Sequence, residues 1–429
     1  MSSIDRFIEK HSLSADCINE DSVLSYFVSE MEKGLEGKDS SLKMIATYIS
    51  AEGRVEAGKS VIVMDAGGTN FRSCLVTFDA GLNPVVTDFK KTRMPGFDRE
   101  VSAAEFFSVL ADNVERFIDK SDRIGFCFSY AADILPDRDG VPIMFSKEIK
   151  AKEVVGMKLG ENLLKELARR GHDVSNKKVV VINDTVATLL AAKASCHENA
   201  SGYIGFILGT GTNTAYIEYN GNIKKLSLGM GRMVINVESG GLRLGISDLD
   251  EAFLATTKDP EHYHFEKMIS GAYLGPFAAF VIQKAIDEGV FSAEFGSRFS
   301  HIKALGTPEM SHYLESCHNM DYDLVRCVGD NEDDALALYR LLKTIVERAG
   351  KLTAINLTAA VLKSGTGISP RDPVVINADG TTFYKTAFLE FYTRHYLESI
   401  LEKKHKRYCR IVQIENSPTL GAAIAGLEF

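Results

Sequence analysis

The sequence predicts an α/β protein built from two similar halves. Segments rich in β-branched residues alternate along the chain with segments of helical apolar spacing. A hairpin with a glycine-threonine turn occurs early and returns near the middle of the 429 residues. Apolar residues make up 45% of the chain and charged residues 25%, a globular composition that excludes a disordered or fibrous chain. This length leaves room for about two or three domains.

The first hairpin begins with a β-branched run at 60–64, turns through Asp65-Ala-Gly-Gly-Thr-Asn-Phe-Arg72 and continues as a strand at 73–78. Beyond it, apolar residues at 105–120 recur with the period of a helix. The following segments continue the alternation, with strands predicted at 123–129 and 178–182 and helices at 160–170 and 185–194.

The hairpin pattern returns as a strand at 203–208, the turn Leu208-Gly-Thr-Gly-Thr-Asn213 and a strand at 214–219. Glycines lack a Cβ and let backbone amides approach a ligand, so such a turn can hold phosphate oxygens. One glycine-rich turn is most often only a turn, but two of the same type favour a paired role. We expect each half to present one loop to a shared cleft.

The last third of the chain predicts mostly helix. A helix at 331–350 opens with acidic residues, as the helix dipole prefers, and a second helical segment covers 351–363. A strand at 373–377 leads into Ala378-Asp-Gly-Thr-Thr382. Residues 291–330 give no clear pattern and receive no assignment.

Charge and cysteine usage exclude several classes of protein. The net charge of −9 has the wrong sign for a nucleic-acid surface. Pro276 interrupts the most apolar stretch, at 273–282, so we expect no membrane span. Charged residues among the first ten predict no signal peptide.

The odd number of cysteines, none in Cys-x-x-Cys, predicts reduced thiols in the cytoplasm. His262 and His264 are interpreted as surface histidines. The sequence leaves the oligomeric state open.

Asp184 lies where a predicted buried strand ends and a helix begins. It can be a helix N-cap, which contributes ~1 kcal/mol. It can also be a carboxylate at the carboxyl end of a parallel strand, where open α/β sheets bind their ligands. A carboxylate in that place could accept a proton from a substrate hydroxyl. Its position alone leaves both interpretations open.

An ordered set of motifs resembles the hexokinase family. The motifs are Asp65-Ala-Gly-Gly-Thr-Asn-Phe-Arg72, Ile182-Asn-Asp-Thr-Val-Ala-Thr188, Leu208-Gly-Thr-Gly-Thr-Asn213, Ile235-Asn-Val-Glu238, Phe265-Glu-Lys-Met-Ile-Ser-Gly-Ala-Tyr-Leu-Gly275 and Asp379-Gly-Thr381. Weaker similarities extend the resemblance from about Ser41 to the end of the chain. Each motif alone is weak evidence, but their common order is specific.

The resemblance implies an actin-like (ribonuclease H-like) two-domain fold, with duplicated mixed sheets and a cleft between the domains that binds ATP and a hexose. The family arrangement implies a small domain of residues 60–198 with 417–429, and a large domain of 1–59 with 199–416. The implied reaction transfers the γ-phosphoryl group of ATP to the 6-hydroxyl of a hexose, with glucose first among them. Mg²⁺ is the implied cofactor, bound with ATP.

The roles of single residues are implied by their positions in these motifs and in two further segments that resemble the family, Phe128-Ser-Tyr130 and Phe145-Ser-Lys-Glu-Ile-Lys150. Asp184 matches the catalytic base, Lys147 can offset charge on the transferring phosphoryl group, and Asp65 matches the acid that holds Mg²⁺ through water. Hexose-binding residues are implied at Ser129, Ser146, Lys147, Asn183, Asp184, Asn213 and Glu238. Nucleotide-binding residues are implied at Asp65, Gly67, Gly68, Thr69, Asn70, Thr210, Asp379, Gly380 and Thr381.

Two positions depart from the family pattern. Pro276 stands where relatives have a sugar-binding glutamate, and Ser239 stands where they have a tryptophan. Two alternative functions are therefore considered. The protein could be a sugar-sensing homologue with weak or no catalysis, or an actin-like ATPase without a sugar acceptor. The second needs no sugar ligands, so Asn183, Asn213 and Glu238 argue against it.

The variant Pro276→Glu separates two interpretations of the proline. If the proline marks a lost ligand, a restored carboxylate should lower the KM for glucose, because a hydrogen bond to a charged group contributes ~1.5–3 kcal/mol. That range corresponds to roughly ten- to a hundredfold in affinity. If the proline instead serves the backbone in a first helical turn, the KM should be unchanged or rise. Steady-state kinetics on the folded variant decide between them.

Overall fold

The computed structural model describes residues 1–51, 56–145, 149–196 and 199–428. Helices and strands alternate along much of this part of the chain. The strands are β1 (Ile45–Ser50), β2 (Ser60–Gly67), β3 (Asn70–Phe78), β4 (Pro84–Arg93), β5 (Arg123–Phe128), β6 (Ala131–Ile134), β7 (Gly140–Met144), β8 (Lys178–Ile182), β9 (Gly202–Leu208), β10 (Thr212–Tyr219), β11 (Arg232–Asn236), β12 (Val374–Asp379) and β13 (Cys409–Val412).

Fifteen α-helices occur in the described ranges, and most of them lie in the C-terminal half. They are α1 (Ser3–Lys10), α2 (Glu20–Glu36), α3 (Ala103–Val114), α4 (Leu159–Arg169), α5 (Asp184–Ser195), α6 (Asp248–Thr256), α7 (His264–Ile269), α8 (Leu274–Asp287), α9 (Ala293–Phe299), α10 (Thr307–Glu315), α11 (Asp323–Val328), α12 (Glu332–Ser364), α13 (Thr381–Lys385), α14 (Leu389–Tyr396) and α15 (Ser417–Leu427).

Two mixed sheets share one strand order. In the first, the antiparallel strands β4-β3-β2 are followed by β5 and β8, each parallel to its neighbour. In the second, β11-β10-β9 are followed in the same way by β12 and β13, and β1 is added beside β11. The predicted α/β class with a duplicated mixed sheet is therefore confirmed.

The helices α5 and α15 lie between the two sheets. Helix α15 packs against β2, β5 and β8, helix α5 packs against β9, β10 and β12, and the two helices pack against each other. Glycines permit the close approach in this layer. A Cβ at Gly421 would lie 2.0 Å from the carbonyl oxygen of Ala187, and one at Gly125 would lie 1.8 Å from that of Ala422. Side chains at these positions would force the layers apart.

Two predicted segments differ from the structure in their boundaries, and one unassigned segment contains helices. The strands of the first hairpin run through most of the 65–72 motif and leave only Gly68 and Thr69 between them, so the predicted loop is too long. The helix predicted at 105–120 ends at Val114 and continues as a 3₁₀ turn. The unassigned segment 291–330 contains the short helices α9, α10 and α11.

The prediction of two helical segments at 331–350 and 351–363 is wrong, because α12 runs unbroken through Gly350. This glycine serves packing rather than helix termination. A Cβ there would lie 2.6 Å from the Cβ of Tyr392 on α14. The buried helix compensates through tertiary contacts for the low helix propensity of glycine.

The helices, the cysteines and His262 can be compared with three further predictions from the sequence. Across the described ranges, no helix combines the length and the apolar character that a membrane crossing requires. The seven cysteines are free thiols in the structure. His262 is exposed and its Nδ1 lies 2.7 Å from a carboxylate oxygen of Asp259, in agreement with a surface role.

Replacing Gly421 by alanine should destabilise the protein. The added methyl group would meet the backbone of α5, and overpacking of this kind costs about 1–3 kcal/mol in free energy of unfolding. Gly221→Ala is the matched control, because no atom lies within 4 Å of a Cβ at that exposed position. Urea denaturation measures both. Equal midpoints for the two variants would contradict the proposed contact between α5 and α15.

Candidate active site

A cavity of about 660 Å³ lies where the loops of both sheets converge. The first sheet and its helices contribute glycines, carboxylates and hydroxyls, and the second contributes amides and further carboxylates. Its polar and glycine lining includes Asp65, Gly67, Gly68, Arg72, Ser129, Tyr130, Asn183, Asp184, Thr185, Thr210, Gly211, Thr212, Asn213, Glu238, Tyr263, Glu266, Asp379 and Gly380. The structure thus brings together most of the residues that the motifs predict to form a site.

Asn183 and Asp184 lie at the junction of β8 and α5. The Asn183 side-chain oxygen accepts a hydrogen bond from the Thr185 backbone N–H at 2.9 Å, so Asn183 is the N-cap. The N-cap interpretation of Asp184 is therefore wrong. Asp184 is the first helical residue, and its Oδ1 accepts from the same N–H at 2.8 Å. The carboxylate is left facing the cavity.

The environment of Asp184 raises its pKa to about 6. Burial is the largest cause, and the negative charges of Asp65 and Glu238 raise the pKa further. Hydrogen bonds from the Ser129 hydroxyl and the Thr185 N–H oppose the rise. A carboxyl group with this pKa is mostly ionised at neutral pH and is well matched to accept a proton from a substrate.

Asn213, Asn236 and Glu238 form a hydrogen-bonded network at the adjoining ends of β10 and β11. Asn213 Nδ2 donates to Asn236 Oδ1 at 2.7 Å, and Asn236 Nδ2 donates to Glu238 Oε1 at 2.7 Å. Glu238 has a φ of 59°, a left-handed conformation that is uncommon for non-glycine residues. The network presents amide and carboxylate groups that can bind adjacent hydroxyls.

Sequence reasoning assigned no role to Asn236, although it lies within a quoted motif. The sequence does contain a pattern that indicates a site residue at Asn236, because a polar amide follows the apolar residues Met233 to Ile235 at the end of a strand. Nearby, Ser239 is buried and its hydroxyl lies 3.2 Å from that of Thr214. The missing tryptophan is thus replaced by a small hydrogen-bonded side chain.

Asp65 and Arg72 face each other across β2 and β3. Their backbones are directly paired in the antiparallel register, and Arg72 Nη1 donates to Asp65 Oδ2 at 2.6 Å. Burial raises the pKa of Asp65, while the guanidinium opposes that rise. Arg72 was missed as a site residue, although it closes the first glycine motif and lines the cavity. It supplies a positive charge beside the glycine turn.

The cavity fits a metal ion only in part. No group of three or more histidine, cysteine or acidic side chains suited to a metal ion occurs within the described part of the chain. Beside the glycine turn, Asp65 offers one buried carboxylate, and its second oxygen, Oδ1, points towards Gly67. Mg²⁺ is commonly bound by one or two carboxylates together with substrate phosphates and water, so this donor set fits Mg²⁺ that arrives with a nucleotide.

A second cavity of about 960 Å³ adjoins the first at Thr210. Its lining includes Thr381 but neither Asp379 nor Gly380, which lie in the first cavity. The loop 379–381 therefore spans both. Aromatic and hydroxyl side chains line part of the remainder, among them Ser311, Thr382, Tyr384, Phe388 and Phe391, and charged side chains such as Glu315 and Lys385 line another part.

Several predicted site residues lie elsewhere. Thr69 and Asn70, at the tip of the first hairpin, are not in the lining of either cavity. Ser146 and Lys147 lie outside the described residues. Pro276 occupies the first turn of α8, is exposed and lies outside the cavity lining, which favours the backbone interpretation of this proline.

Comparisons with known proteins agree with these motifs. Residues 203–427 match a family model described as Hexokinase, and residues 3–194 match a second model with the same description. Hexokinase-5 of Oryza sativa subsp. japonica is 28% identical over 390 residues, which cover 85% of this chain and 76% of the relative. Hexokinase-3 of Homo sapiens is 28% identical over 378 residues, covering 82% of this chain and 39% of that longer protein.

Among solved structures, a hexokinase from Schistosoma mansoni complexed with glucose superposes with a TM-score of 0.80 at 22% sequence identity. The superposition covers 100% of this chain and 99% of that chain. At this identity the likeness establishes the fold, and the expected actin-like fold is confirmed.

Asp184→Asn should stabilise the protein at pH 8. The folded-state pKa of about 6 lies above the unfolded value, so the carboxyl lowers the free energy of unfolding progressively as the pH rises from the unfolded pKa to 6, and the full loss is present above pH 6. Removing that charge should raise the free energy of unfolding by about 1–3 kcal/mol at pH 8 and leave it unchanged at pH 4.

Denaturation at both pH values measures the effect. Asp79→Asn is the control of opposite sign, because backbone hydrogen bonds from Asn83 and Gly81 lower the pKa of Asp79. That variant should lose stability at pH 8. If the free energy of unfolding of Asp184→Asn at pH 8 were lower than that of the wild type, the raised pKa of Asp184 would be contradicted.

Proposed function

Because this chain belongs to the hexokinase family, we propose that it transfers the γ-phosphoryl group of ATP to the 6-hydroxyl of a hexose, with glucose as the first candidate. The observation that carries this proposal is the arrangement around Asp184. A carboxylate with a pKa of about 6 shares one cavity with an amide and carboxylate network suited to a polyol.

The hexose would bind between the two sheets. Asn183, Asn213 and Glu238 would accept from and donate to its ring hydroxyls, and Ser129 would lie beside the reacting one. A sugar that lacks a matching hydroxyl would leave a buried polar group unpaired, which is the basis of discrimination. The family resemblance adds Ser146 and Lys147 as hexose contacts, and assigns to Lys147 a charge-neutralising role.

Asp184 would act as the base of the reaction. Its ionised carboxylate orients the 6-hydroxyl towards the γ-phosphorus and takes the proton as the new O–P bond forms. The bond between the γ-phosphorus and the β–γ bridging oxygen breaks in the same step, and ADP leaves. Phosphoryl transfer passes through a loose transition state, so positioning and charge neutralisation matter more than base strength. A pKa near 6 leaves Asp184 ionised at neutral pH and still able to hold the proton briefly.

The phosphates would lie against the two glycine turns. Backbone N–H groups near Gly67 and Gly68 and near Thr210 can donate to phosphate oxygens, and Arg72 adds a positive charge. Asp65 would hold Mg²⁺ through water, and the bound ion would supply charge neutralisation on the phosphates. Thr69 and Asn70 would contact them only if the hairpin tip moved towards the cavity.

We assign the adenosine to the second cavity. It joins the phosphate region at Thr210 and at the 379–381 loop, so a nucleotide can extend from one cavity into the other. Aromatic side chains such as Tyr384 and Phe388 offer flat surfaces for a base.

The division into a small domain (60–198 with 417–429) and a large domain (1–59 with 199–416) belongs to the same proposal. The packing of α15 on β2, β5 and β8 supports placing the C-terminal helix with the first sheet. Closure of two such domains would exclude water, which otherwise competes as acceptor. The free cysteines support a reducing compartment, the cytoplasm.

A coupled ADP-release assay over glucose, fructose, mannose, galactose, glucosamine and N-acetylglucosamine tests the function. Sugar-dependent ADP release is expected with at least one hexose and Mg²⁺. ATP turnover independent of every sugar would contradict the kinase and favour an ATPase. Sugar binding by calorimetry without turnover would favour a sugar-sensing protein.

Asp184→Asn should lower kcat by roughly 10²–10⁴-fold, the contribution of a general base, with a small effect on sugar binding. In the wild type, kcat/KM should fall about tenfold per pH unit below pH 6, because protonated Asp184 cannot accept the proton. Asp79→Asn, at an exposed hairpin turn, serves as the matched control and should keep full activity. Wild-type activity in Asp184→Asn would eliminate Asp184 as the base.

A further inference from the structure

Three buried polar side chains form a hydrogen-bonded chain behind the wall of the first cavity. Asn356 on α12 donates from Nδ2 to the Thr214 hydroxyl on β10 at 2.8 Å. The Thr214 hydroxyl in turn lies 3.2 Å from that of Ser239, in the short 3₁₀ turn after β11. All three residues are at most 1% exposed, and none belongs to the lining of that cavity. We call this chain the Thr214 network.

The Thr214 network ends at the side-chain amide of Asn213. Its Oδ1 accepts hydrogen bonds from the backbone N–H groups of Thr214 at 2.7 Å and of Ser239 at 3.3 Å. An amide oxygen has two lone pairs, so the protein itself uses both. The Nδ2 group is consequently turned towards Asn236 Oδ1 and Glu238 Oε1, at 2.7 and 3.3 Å. Asn213 is thus held in one orientation and has only N–H groups left for the polar wall of the cavity.

Thr214 also holds both chain neighbours of Glu238. Its backbone carbonyl accepts from the Val237 N–H at 2.9 Å, and its hydroxyl pairs with that of Ser239. Between them, Glu238 has a φ of 59°, which is uncommon for a non-glycine residue and persists where neighbouring contacts hold the backbone. The direction in which the Glu238 carboxylate leaves the backbone therefore depends on Thr214.

A purely structural role explains the network less well. When both partners of a hydrogen bond are replaced by apolar side chains of the same shape, stability can be nearly unchanged, so packing alone does not require hydroxyls here. The network also leaves Asn356 Oδ1 buried without a hydrogen-bond partner among the described residues, which is unfavourable. What these polar groups achieve is orientation, because they connect α12 to Asn213 and Glu238, two residues of the cavity lining.

We propose that Thr214 is a positioning residue of the hexose site, which acts with Asn356 and Ser239 to fix the Asn213 amide and the Glu238 carboxylate in their binding orientation. The proposal rests on the proposed function and adds residues outside the cavity that set the affinity for the sugar. It also gives a role to Ser239, which stands where relatives have a tryptophan.

Thr214→Val tests the proposal, because valine keeps the shape of the side chain and removes the hydroxyl. The Kd for glucose, measured by calorimetry, and its KM should rise roughly two- to tenfold, the contribution of one neutral hydrogen bond. The KM for ATP should be unchanged, because the network ends at the hexose-binding residues. Thr358→Val, on the same helix as Asn356, is the matched control. This threonine is equally buried, and its hydroxyl has no partner among the described residues, so the variant should keep the wild-type Kd.

Two further variants separate positioning from packing. Thr214→Ser keeps the hydroxyl and loses a methyl group, so it should bind glucose with nearly the wild-type Kd even if its urea midpoint falls. Thr214→Val combined with Asn356→Leu should raise the Kd no further than Thr214→Val alone, because both residues act through one hydroxyl. A packing role predicts instead an unchanged Kd in every folded variant, or equal increases in the KM for glucose and for ATP. Either result would overturn the proposal.

If Thr214→Val does not fold, Ser239→Ala removes the same hydroxyl contact from the other side, and the same selective rise in the Kd and the KM for glucose is expected. If the wild type phosphorylates another of the six sugars better than glucose, that sugar replaces glucose in every measurement. The two proposals fail differently. Absence of sugar-dependent turnover in the wild type contradicts the proposed function. Normal wild-type turnover with an unshifted sugar Kd in the Thr214 and Ser239 variants contradicts only the positioning role.

Discussion

The crowding of acidic groups at one cleft is the constraint on which this structure depends. Asp65, Asp184, Glu238 and Glu266 line a single cavity, and burial raises the pKa of Asp65, Asp184 and Glu266. Within the described ranges, Arg72 is the one cation paired with any of them by a side-chain ion pair. Such a wall is costly in the empty protein and becomes favourable when a ligand supplies hydroxyl donors and cations.

The duplicated sheets make this crowding possible. Each sheet has a hairpin followed by parallel strands, and the central helices α5 and α15 hold the two sheets close enough for their loops to share one cavity. The glycines at 125 and 421 allow backbone contact in this layer. The fold therefore places the acidic residues around one cavity, where their burial is unfavourable until a ligand binds.

Much of this arrangement could be predicted from the sequence, because its signals are local. The β-branched runs and glycine turns predict both hairpins, and the strand-to-helix junction predicts the position of Asp184. The motifs also locate Asn213 and Glu238, which the fold brings together. By contrast, Gly350 resembles a helix end in the sequence, and only its packing against Tyr392 explains why α12 continues.

Other features depend on tertiary contacts that no local pattern reveals. The position of the Glu266 side chain depends on contacts with Thr212 and Gly211, which lie more than fifty positions away in the chain. The position of Asn236 depends on the register of β10 and β11. The short helices within 291–330 have too few residues for a clear apolar period. The N-cap of α5 is Asn183 and not the next residue, Asp184. Both residue types can cap a helix, so only the backbone geometry shows at which of the two positions the helix begins.

The central claim is that the cleft carboxylates bind a hexose through their ionised forms, with Asp184 facing the reacting hydroxyl. Calorimetric titration of the wild-type protein with glucose, at pH 6 in buffers of different ionisation enthalpy, measures the protons exchanged on binding. A hydroxyl that donates to Asp184 favours its ionised form and lowers its pKa, so net proton release is expected at pH 6 and none at pH 8. Binding at pH 6 with no proton exchange, or with proton uptake, would contradict the claim.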